Sequence, residues 1–253
     1  MKRKNSTSTT TSFFDFSRAG FSSSPPNFGF EIYPNFINDK EHDLLLHEAD
    51  KYLSRKSFLK DHFDGVISGY REGLSSIKGG SKDLTDVSQR IYKLFPIKSG
   101  PLLQSVHYIE LSQDGAISKH VDSIKFSGGI VAGISLVSDC VMRLYPVCDA
   151  NDASINEKTT NNDLLEGVID VLIQKKSLYI MSGEARYHWA HSIPNGELLF
   201  KNKCVSRKRR VSMIFRDQLD PTSLDRIEND FPFKGSFAEK VLKHISRNKE
   251  IMT

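Results

Sequence analysis

The spacing of hydrophobic residues differs between the N-terminal part of the chain and the rest. Over residues 38–53 the apolar positions recur on one helical face, and Asn38 followed by Glu41 matches the capping box that starts many helices. A second helix is predicted over residues 84–95, because apolar side chains recur at every fourth position and a proline follows where a helix should stop. The N-terminal part of the predicted domain is therefore expected to contain two helices.

Shorter apolar runs follow the second helix. They are rich in β-branched residues, are bounded by Gly, Asp, Asn or Ser, and predict strands. The glycine-rich segment 60–82 is predicted to be a loop with at most one short strand, and 149–163 to be a polar loop. Several short strands after two helices favour a mainly β, two-layered fold with flanking helices. The predicted strands are Phe30–Tyr33, Ser105–Leu111, Ile117–Asp122, Ile130–Leu136, Val141–Val147, Val168–Ile173, Leu178–Ser182 and Arg210–Arg216.

Composition divides the chain into three parts. Residues 1–29 are rich in Ser and Thr, basic and poor in acids, which predicts a disordered segment with the composition of a mitochondrial transit peptide. A merely disordered tail, or a weak nuclear signal at residues 2–4, is the alternative. The folded domain is predicted over 30–220, with ordered structure beginning near Phe30. Residues 221–253 form a C-terminal extension with a short helix after Ser236.

The overall composition is that of an ordinary globular protein. The 253 residues are 38% hydrophobic and 26% charged, with a net charge of +4. Since the chain contains no run of eighteen apolar residues, we expect no membrane span. The cysteine count is odd and the spacing matches no zinc motif, so free thiols in a reducing compartment are expected for Cys140, Cys148 and Cys204.

Positive charge is concentrated in one short run. Six basic residues lie between Lys201 and Arg210 with no acid among them. Such a run could attract phosphate groups, as in RNA, or could simply be a solvated loop.

Three residues have the chemistry of a metal site. Side chains two apart on a strand face the same way, so His120 and Asp122 can point at one ion. A surface pair at a turn is the alternative. His188 and His191 are both candidates for a third ligand. Two histidines and one carboxylate bind one face of a ferrous ion and leave positions open for oxygen and an organic acid.

The last predicted strand carries two arginines that need an anion. Arg210, Ser212 and Arg216 share one face, while the alternate residues are apolar and fit a core. Arginines on a strand face are costly to bury without a negatively charged partner. A dicarboxylic acid would supply it, because a guanidinium group binds a carboxylate through two parallel hydrogen bonds. Alternatively, Arg216 ends the strand and faces solvent.

Together these motifs resemble the AlkB family of iron(II)- and 2-oxoglutarate-dependent dioxygenases. That family carries His-x-Asp, a distal His preceded by an arginine, and a strand that begins and ends with Arg. The similarity is closest to a mitochondrial mammalian branch and covers roughly residues 30–217. The segments that carry it are His120–Phe126, Ala132–Leu136, Val141–Leu144, Ser177–Ile180 and Phe63–Glu72.

The resemblance implies a double-stranded β-helix of the jelly-roll, cupin-like type, with Fe(II), 2-oxoglutarate and O2 as cofactor and co-substrates. By position, the iron ligands would be His120, Asp122 and His191. Arg210 would bind the distal carboxylate of 2-oxoglutarate and Arg216 would lie near its metal end. Tyr179 and Ser212 fall on positions that contact the co-substrate. The branch is linked to fatty-acid metabolism and programmed necrosis.

Two departures from the family pattern concern the substrate. Residues 106–110 lack the Asn-x-Tyr motif of DNA-repairing relatives, and 54–82 lack the basic, aromatic content of a base-gripping lid. The sequence therefore argues against DNA repair and favours a monomeric oxygenase of the mitochondrial matrix that acts on a protein through an open site. A demethylase of structured mitochondrial RNA and a regulatory binding module are the alternatives.

Overall fold

The computed structural model describes residues 11–20, 22–23, 28–62, 64–96, 100–123, 127–147 and 167–218. The predicted polar loop 149–163 and the predicted helix after Ser236 lie outside the described residues.

Within these ranges the chain is mainly β with flanking helices, as predicted. The helices are α1 Asp39–Leu53, α2 Lys82–Tyr92 and the short α3 Gly183–Tyr187, with a 3₁₀ turn at Thr11–Phe13. The strands are β1 Phe14–Arg18, β2 Phe30–Tyr33, β3 Leu59–Asp61, β4 Ile67–Ser76, β5 Ser105–His120, β6 Val131–Ser135, β7 Cys140–Pro146, β8 Val168–Ile173, β9 Leu178–Met181, β10 Trp189–Ile193, β11 Glu197–Phe200, β12 Lys203–Ser206 and β13 Arg210–Arg216.

Eleven strands form one antiparallel sheet. Its order is β1-β8-β7-β10-β5-β13-β6-β9-β2, with β4 also paired to β5 and β3 paired to β4. The strands β11 and β12 form a separate hairpin. This order places β10, β5 and β13 side by side, so three segments that are distant in sequence become neighbours.

The sheet separates two hydrophobic clusters. In one cluster, α1 and α2 pack against alternate residues of β13. Its members include Leu45 of α1, Val87 of α2 and Met213 of β13. The other lies on the opposite side of β13 and contains Tyr179, Trp189 and the residues around them. The face of β13 that carries Arg210 and Ser212 is therefore directed away from the helices.

Both predicted long helices are present, and their caps explain their limits. Asn38 Oδ1 accepts a hydrogen bond from Glu41 N at 2.9 Å, and Glu41 Oε2 accepts one from Asn38 N at 3.0 Å, which completes the predicted capping box. The second helix begins slightly earlier than predicted, because Ser81 Oγ accepts from Leu84 N at 3.2 Å.

Ordered structure begins before Phe30, so the expectation of disorder is wrong for the described residues of the segment 1–29. β1 pairs with β8, and Arg18 binds Asp170 at 2.5 Å. Phe14 and Phe28 are buried in the hydrophobic cluster around Trp189, and the rings of Phe28 and Trp189 lie 5.0 Å apart. The free energy gained by burying these aromatic side chains offsets the conformational entropy that a polar segment loses when it becomes ordered. The basic residues 2–4 lie outside the described residues.

A truncation series should show this contribution directly. A chain that begins at Thr11 should retain the stability of the full chain. A chain that begins at Phe30 should lose at least about 3 kcal/mol of unfolding free energy, because it lacks the buried rings of Phe14 and Phe28. Urea unfolding measures both, with Leu199→Ala as a control at a side chain that is 68% exposed. Equal stability of the two truncations would contradict this account of the segment.

Two stretches are more continuous than predicted. Segment 60–82 was expected to be mostly loop, yet it contains the ten-residue strand β4, and the two strands predicted over 105–122 are one strand, β5. The glycines in this segment favoured a loop prediction, although they are needed for the pairing of β4 with β5. At Gly69, where φ is +56°, an added Cβ would lie 2.7 Å from the Cα of Gly115, so the two strands approach too closely for a side chain there.

Candidate active site

The side chains of His120, Asp122 and His191 lie together at one end of the sheet. Antiparallel pairing of β10 with β5 sets His191 opposite His120, and the two imidazole rings are 4.3 Å apart. One nitrogen or oxygen from each of the three residues lies within 4.8 Å of the others. His188, the alternative third ligand, follows α3 and does not join this group within the described residues.

The main chain orients His120. Its Nδ1 lies 2.8 Å from the carbonyl oxygen of Ser118. Because a carbonyl can only accept, Nδ1 donates this hydrogen bond, and Nε2 is the nitrogen left to face the cluster. Nε2 is also the atom nearest Asp122, at 3.4 Å from Oδ1. The ring therefore directs Nε2 at the cluster.

Asp122 reaches the cluster by a different route from the one predicted. Strand alternation was expected to bring it beside His120, but β5 ends at His120 and Asp122 lies beyond it. The carboxylate Oδ1 nonetheless lies 3.4 Å from Nε2 of His120. The predicted strand position of Asp122 was wrong, while its role as a metal ligand stays a prediction.

The protonation of the cluster suits a divalent metal. Burial opposes the charge on Asp122, but the hydrogen bond to His120 and the neighbouring positive charges hold its pKa well below the usual range. Burial and the charge at His120 lower the pKa of His191 to about 3, so that imidazole is neutral at physiological pH. An anionic carboxylate with neutral imidazole is the donor set that ferrous iron binds.

Arg210 lies fully inside the protein with donors unused. Its side chain is 1% exposed, and Nη1 donates to Ser212 Oγ at 3.1 Å. Nε and Nη2 are buried and have no hydrogen-bond partner among the described residues. Leaving such donors unsatisfied is costly, and a carboxylate that accepts two parallel hydrogen bonds would remove that cost. The site thus fits an organic acid at this position.

Tyr179 lies near enough to Arg210, Arg216 and Asp122 for their charges to act on its hydroxyl. It faces Gly133 on the neighbouring strand, where an added Cβ would lie 2.5 Å from its ring. Burial raises the pKa of its hydroxyl to about 12, although the charges of Arg210 and Arg216 act to lower it and that of Asp122 to raise it. The phenol is therefore neutral and able to donate a hydrogen bond.

Ser212 and Arg216 have different surroundings. Ser212 is buried, and its hydroxyl joins Arg210 to the carbonyl of Ile109 at 3.4 Å. Arg216 is the last residue of β13 and is half-buried, so its side chain is neither enclosed like Arg210 nor fully in solvent. The residues predicted for the co-substrate thus share one region, with Arg216 at its edge.

Sequence reasoning missed two contributors to this site. Gly133 leaves room for the ring of Tyr179, and a glycine within an apolar strand run was the only available signal. Arg186 was used only as context for the distal histidine, yet it is fully buried and hydrogen-bonded to the main chain of Asp122.

The basic run 201–210 is mostly engaged within the protein. Arg207 is buried and donates to the carbonyls of Ser112 and Gln113 at 2.9 and 3.1 Å. Arg209 pairs with Glu110 and Asp50 at 2.7 and 2.9 Å. Lys201 contacts the N-terminal segment. Arg207 is therefore not part of a free phosphate-binding surface, since its donors are used by main-chain carbonyls of β5.

No helix within the described ranges is both long and apolar enough to cross a membrane.

Comparisons with known proteins agree with the geometry of the site. No protein-family model matches the chain. The chain is 33% identical over 186 residues to the mouse (Mus musculus) protein named alpha-ketoglutarate-dependent dioxygenase alkB homolog 7, mitochondrial. That alignment covers 73% of this chain and 76% of the mouse protein. The bovine (Bos taurus) protein of the same name has the same identity and coverage.

The fold is also shared with a solved structure. The structure of OsALKBH1 superposes with a TM-score of 0.50 at 16% identity, covering 77% of this chain and 99% of that one. The curled antiparallel sheet is thus the double-stranded β-helix, or jelly roll, that the sequence led us to expect.

Proposed function

The chain belongs to the AlkB family of 2-oxoglutarate-dependent dioxygenases, and we propose that His120, Asp122 and His191 bind its Fe(II). We further propose that Arg210, Tyr179, Ser212 and Arg216 bind 2-oxoglutarate. The observation that carries this assignment is the buried guanidinium of Arg210, whose Nε and Nη2 have no partner in the described structure. Arg210 alternates with Ile214 on β13, and His191 alternates with Trp189 and Ile193 on β10. Those three apolar residues belong to one hydrophobic cluster, so Arg210 and His191 lie on the same side of the sheet.

Bound iron would supply the redox chemistry, in which O2 converts 2-oxoglutarate to succinate and CO2 and oxidises a C–H bond of the substrate. The protein's own part is orientation. Arg210 binds the distal carboxylate through its two free donors, while Ser212 holds the guanidinium in place. The neutral phenol of Tyr179 donates a hydrogen bond in the same region. The apolar residues around them keep water from these charged contacts.

We propose a protein as the substrate. In the described structure the side chains of His120 and Asp122 are still 19% and 18% exposed, so a bulky target could approach the ligands. Most of the basic side chains that suggested RNA binding make contacts within the protein. Lys201, Lys203 and Lys208 are exposed, but Lys201 contacts the N-terminal segment, which leaves Lys203 and Lys208 to bind phosphate. That is a small electrostatic footprint for a nucleic acid.

We propose a monomer in the mitochondrial matrix. Support for the compartment comes from the two mammalian relatives, whose names include the word mitochondrial. Because β1 is part of the sheet, a cleavable targeting segment would have to end before it. A link to fatty-acid metabolism and programmed necrosis follows only from the resemblance to that branch of the family.

The choice of substrate class can be tested by fractionation. Purified protein with Fe(II), ascorbate and 2-oxoglutarate in air should form succinate slowly alone. It should form succinate several times faster with a mitochondrial protein fraction, because an accessible target couples the reaction. A mitochondrial RNA fraction should not accelerate it. Succinate release is the measurement.

The double variant Lys203→Ser, Lys208→Ser tests whether RNA contributes to this reaction. It should leave both rates unchanged. Acceleration by RNA that this double variant abolishes, with a reduced salt dependence of RNA binding, would instead support the demethylase of mitochondrial RNA. No succinate under any condition would favour the regulatory binding module.

A further inference from the structure

Arg186 joins two parts of the candidate active site that are separate in sequence. It belongs to α3, which leads directly into β10 and His191. Its Nη1 donates to the main-chain oxygen of Asp122 at 2.8 Å, and its Nη2 donates to Ser127 Oγ at 2.8 Å. The Ser127 hydroxyl in turn donates to the carbonyl of Ser123 at 3.3 Å. One side chain therefore holds both ends of the segment 122–127.

The burial of this cation calls for an explanation. Arg186 is 1% exposed, yet none of the ion pairs between described residues includes it. Its two hydrogen bonds go to a carbonyl and a hydroxyl, and the charge of the Asp122 carboxylate lies close enough to act on it without a direct ion pair. Burying a guanidinium without a directly bonded carboxylate is costly. This position uses the rigid fork of donors, which reaches two acceptors at once.

Asp122 is the ligand that most needs such support. His120 and His191 lie on paired strands, and their register fixes their positions. His120 is further oriented by its contact with Ser118. Asp122 lies beyond the end of β5, where no strand ladder holds it. The hydrogen bond from Arg186 to its carbonyl supplies the missing constraint.

We propose that Arg186 is a positioning residue that fixes the main chain of Asp122, so that its carboxylate meets the two histidines in metal-binding geometry. This proposal rests on the ligand set proposed above. Arg186 itself does not contact the metal. Its loss leaves all three ligands in the chain but releases one of them from its fixed position.

Cobalt(II) binding tests the proposal without relying on activity, because this ion occupies iron sites and its visible absorption reports the ligand geometry. Arg186→Met should weaken Co(II) binding about tenfold to a hundredfold, the range typical of residues that orient metal ligands, and should change the visible spectrum. Arg186→Lys should lie between Arg186→Met and the unaltered protein, because one ammonium group cannot serve both acceptors. Affinity is measured by titration calorimetry at a temperature where each variant is folded.

Arg143→Met is the matched control. Arg143 is also a buried arginine, on the strand next to β10, but it binds Asp170 rather than the ligand segment. It should keep the affinity and spectrum of the unaltered protein even if its stability falls. Equal Co(II) binding by Arg186→Met and the unaltered protein, or an equal loss in Arg143→Met, would overturn the proposal. The variant Asp122→Ala distinguishes a failure of this proposal from a failure of the proposed ligand set. If Asp122→Ala binds Co(II) normally, the ligand set itself is wrong.

Discussion

Replacing His120, Asp122 or His191 with alanine should reduce iron-dependent 2-oxoglutarate turnover to the rate seen without protein. Each residue supplies one of three donor atoms that lie within 4.8 Å of each other, and the remaining pair cannot hold the ion in the same geometry. Asp122 also provides the only carboxylate of this cluster. Succinate formation and Fe(II) affinity should fall together in all three variants.

His188→Ala is the control for this experiment. His188 is three residues from His191 in sequence, but it follows α3 and is absent from the ligand cluster. The variant should therefore retain turnover. An inactive His188→Ala together with an active His191→Ala would show that the third ligand has been assigned to the wrong histidine.

Arg210→Lys should weaken 2-oxoglutarate binding although the positive charge is kept. An ammonium group cannot replace the two parallel donors of the guanidinium. The expected loss is about 1.5–3 kcal/mol, the usual contribution of a hydrogen bond to a charged group. This corresponds to roughly a tenfold to a hundredfold increase in KM for 2-oxoglutarate.

Arg209→Lys is a matched substitution at the adjacent residue. Arg209 points to the other face of the sheet, where it binds Glu110 and Asp50. Its replacement should leave the KM for 2-oxoglutarate unchanged. If Arg210→Lys also leaves KM unchanged, Arg210 does not bind the co-substrate.

Most of the site could be predicted because its chemistry is carried by short motifs. The alternation along 210–216 separates polar from apolar residues, and the structure places the apolar set against α1 and α2. The identity of the distal histidine, by contrast, depends on which residue lies opposite His120 across two strands. That register is a tertiary property, and residue spacing alone left His188 and His191 open.

The wrong predictions share one physical cause, which is contact between residues that are distant in sequence. Polar composition over 1–29 gave no hint that Phe14 and Phe28 would be buried beside β8 and Trp189. In the basic run, Arg207 looked available for phosphate because its acceptors, the carbonyls of 112–115, are distant in sequence. Glycines in β4 suggested a loop because the close approach of β5 that requires them is not visible locally.

Anaerobic titration of the purified protein with Fe(II) and then 2-oxoglutarate tests most directly whether one site holds both. Chelation of the metal by the keto acid produces a visible charge-transfer absorption that neither component gives alone. The structure predicts that this absorption saturates at one Fe(II) and one 2-oxoglutarate per chain, is lost in Asp122→Ala and requires more 2-oxoglutarate in Arg210→Lys. Absence of the band in the unaltered protein, or its full retention in Asp122→Ala, would contradict the account.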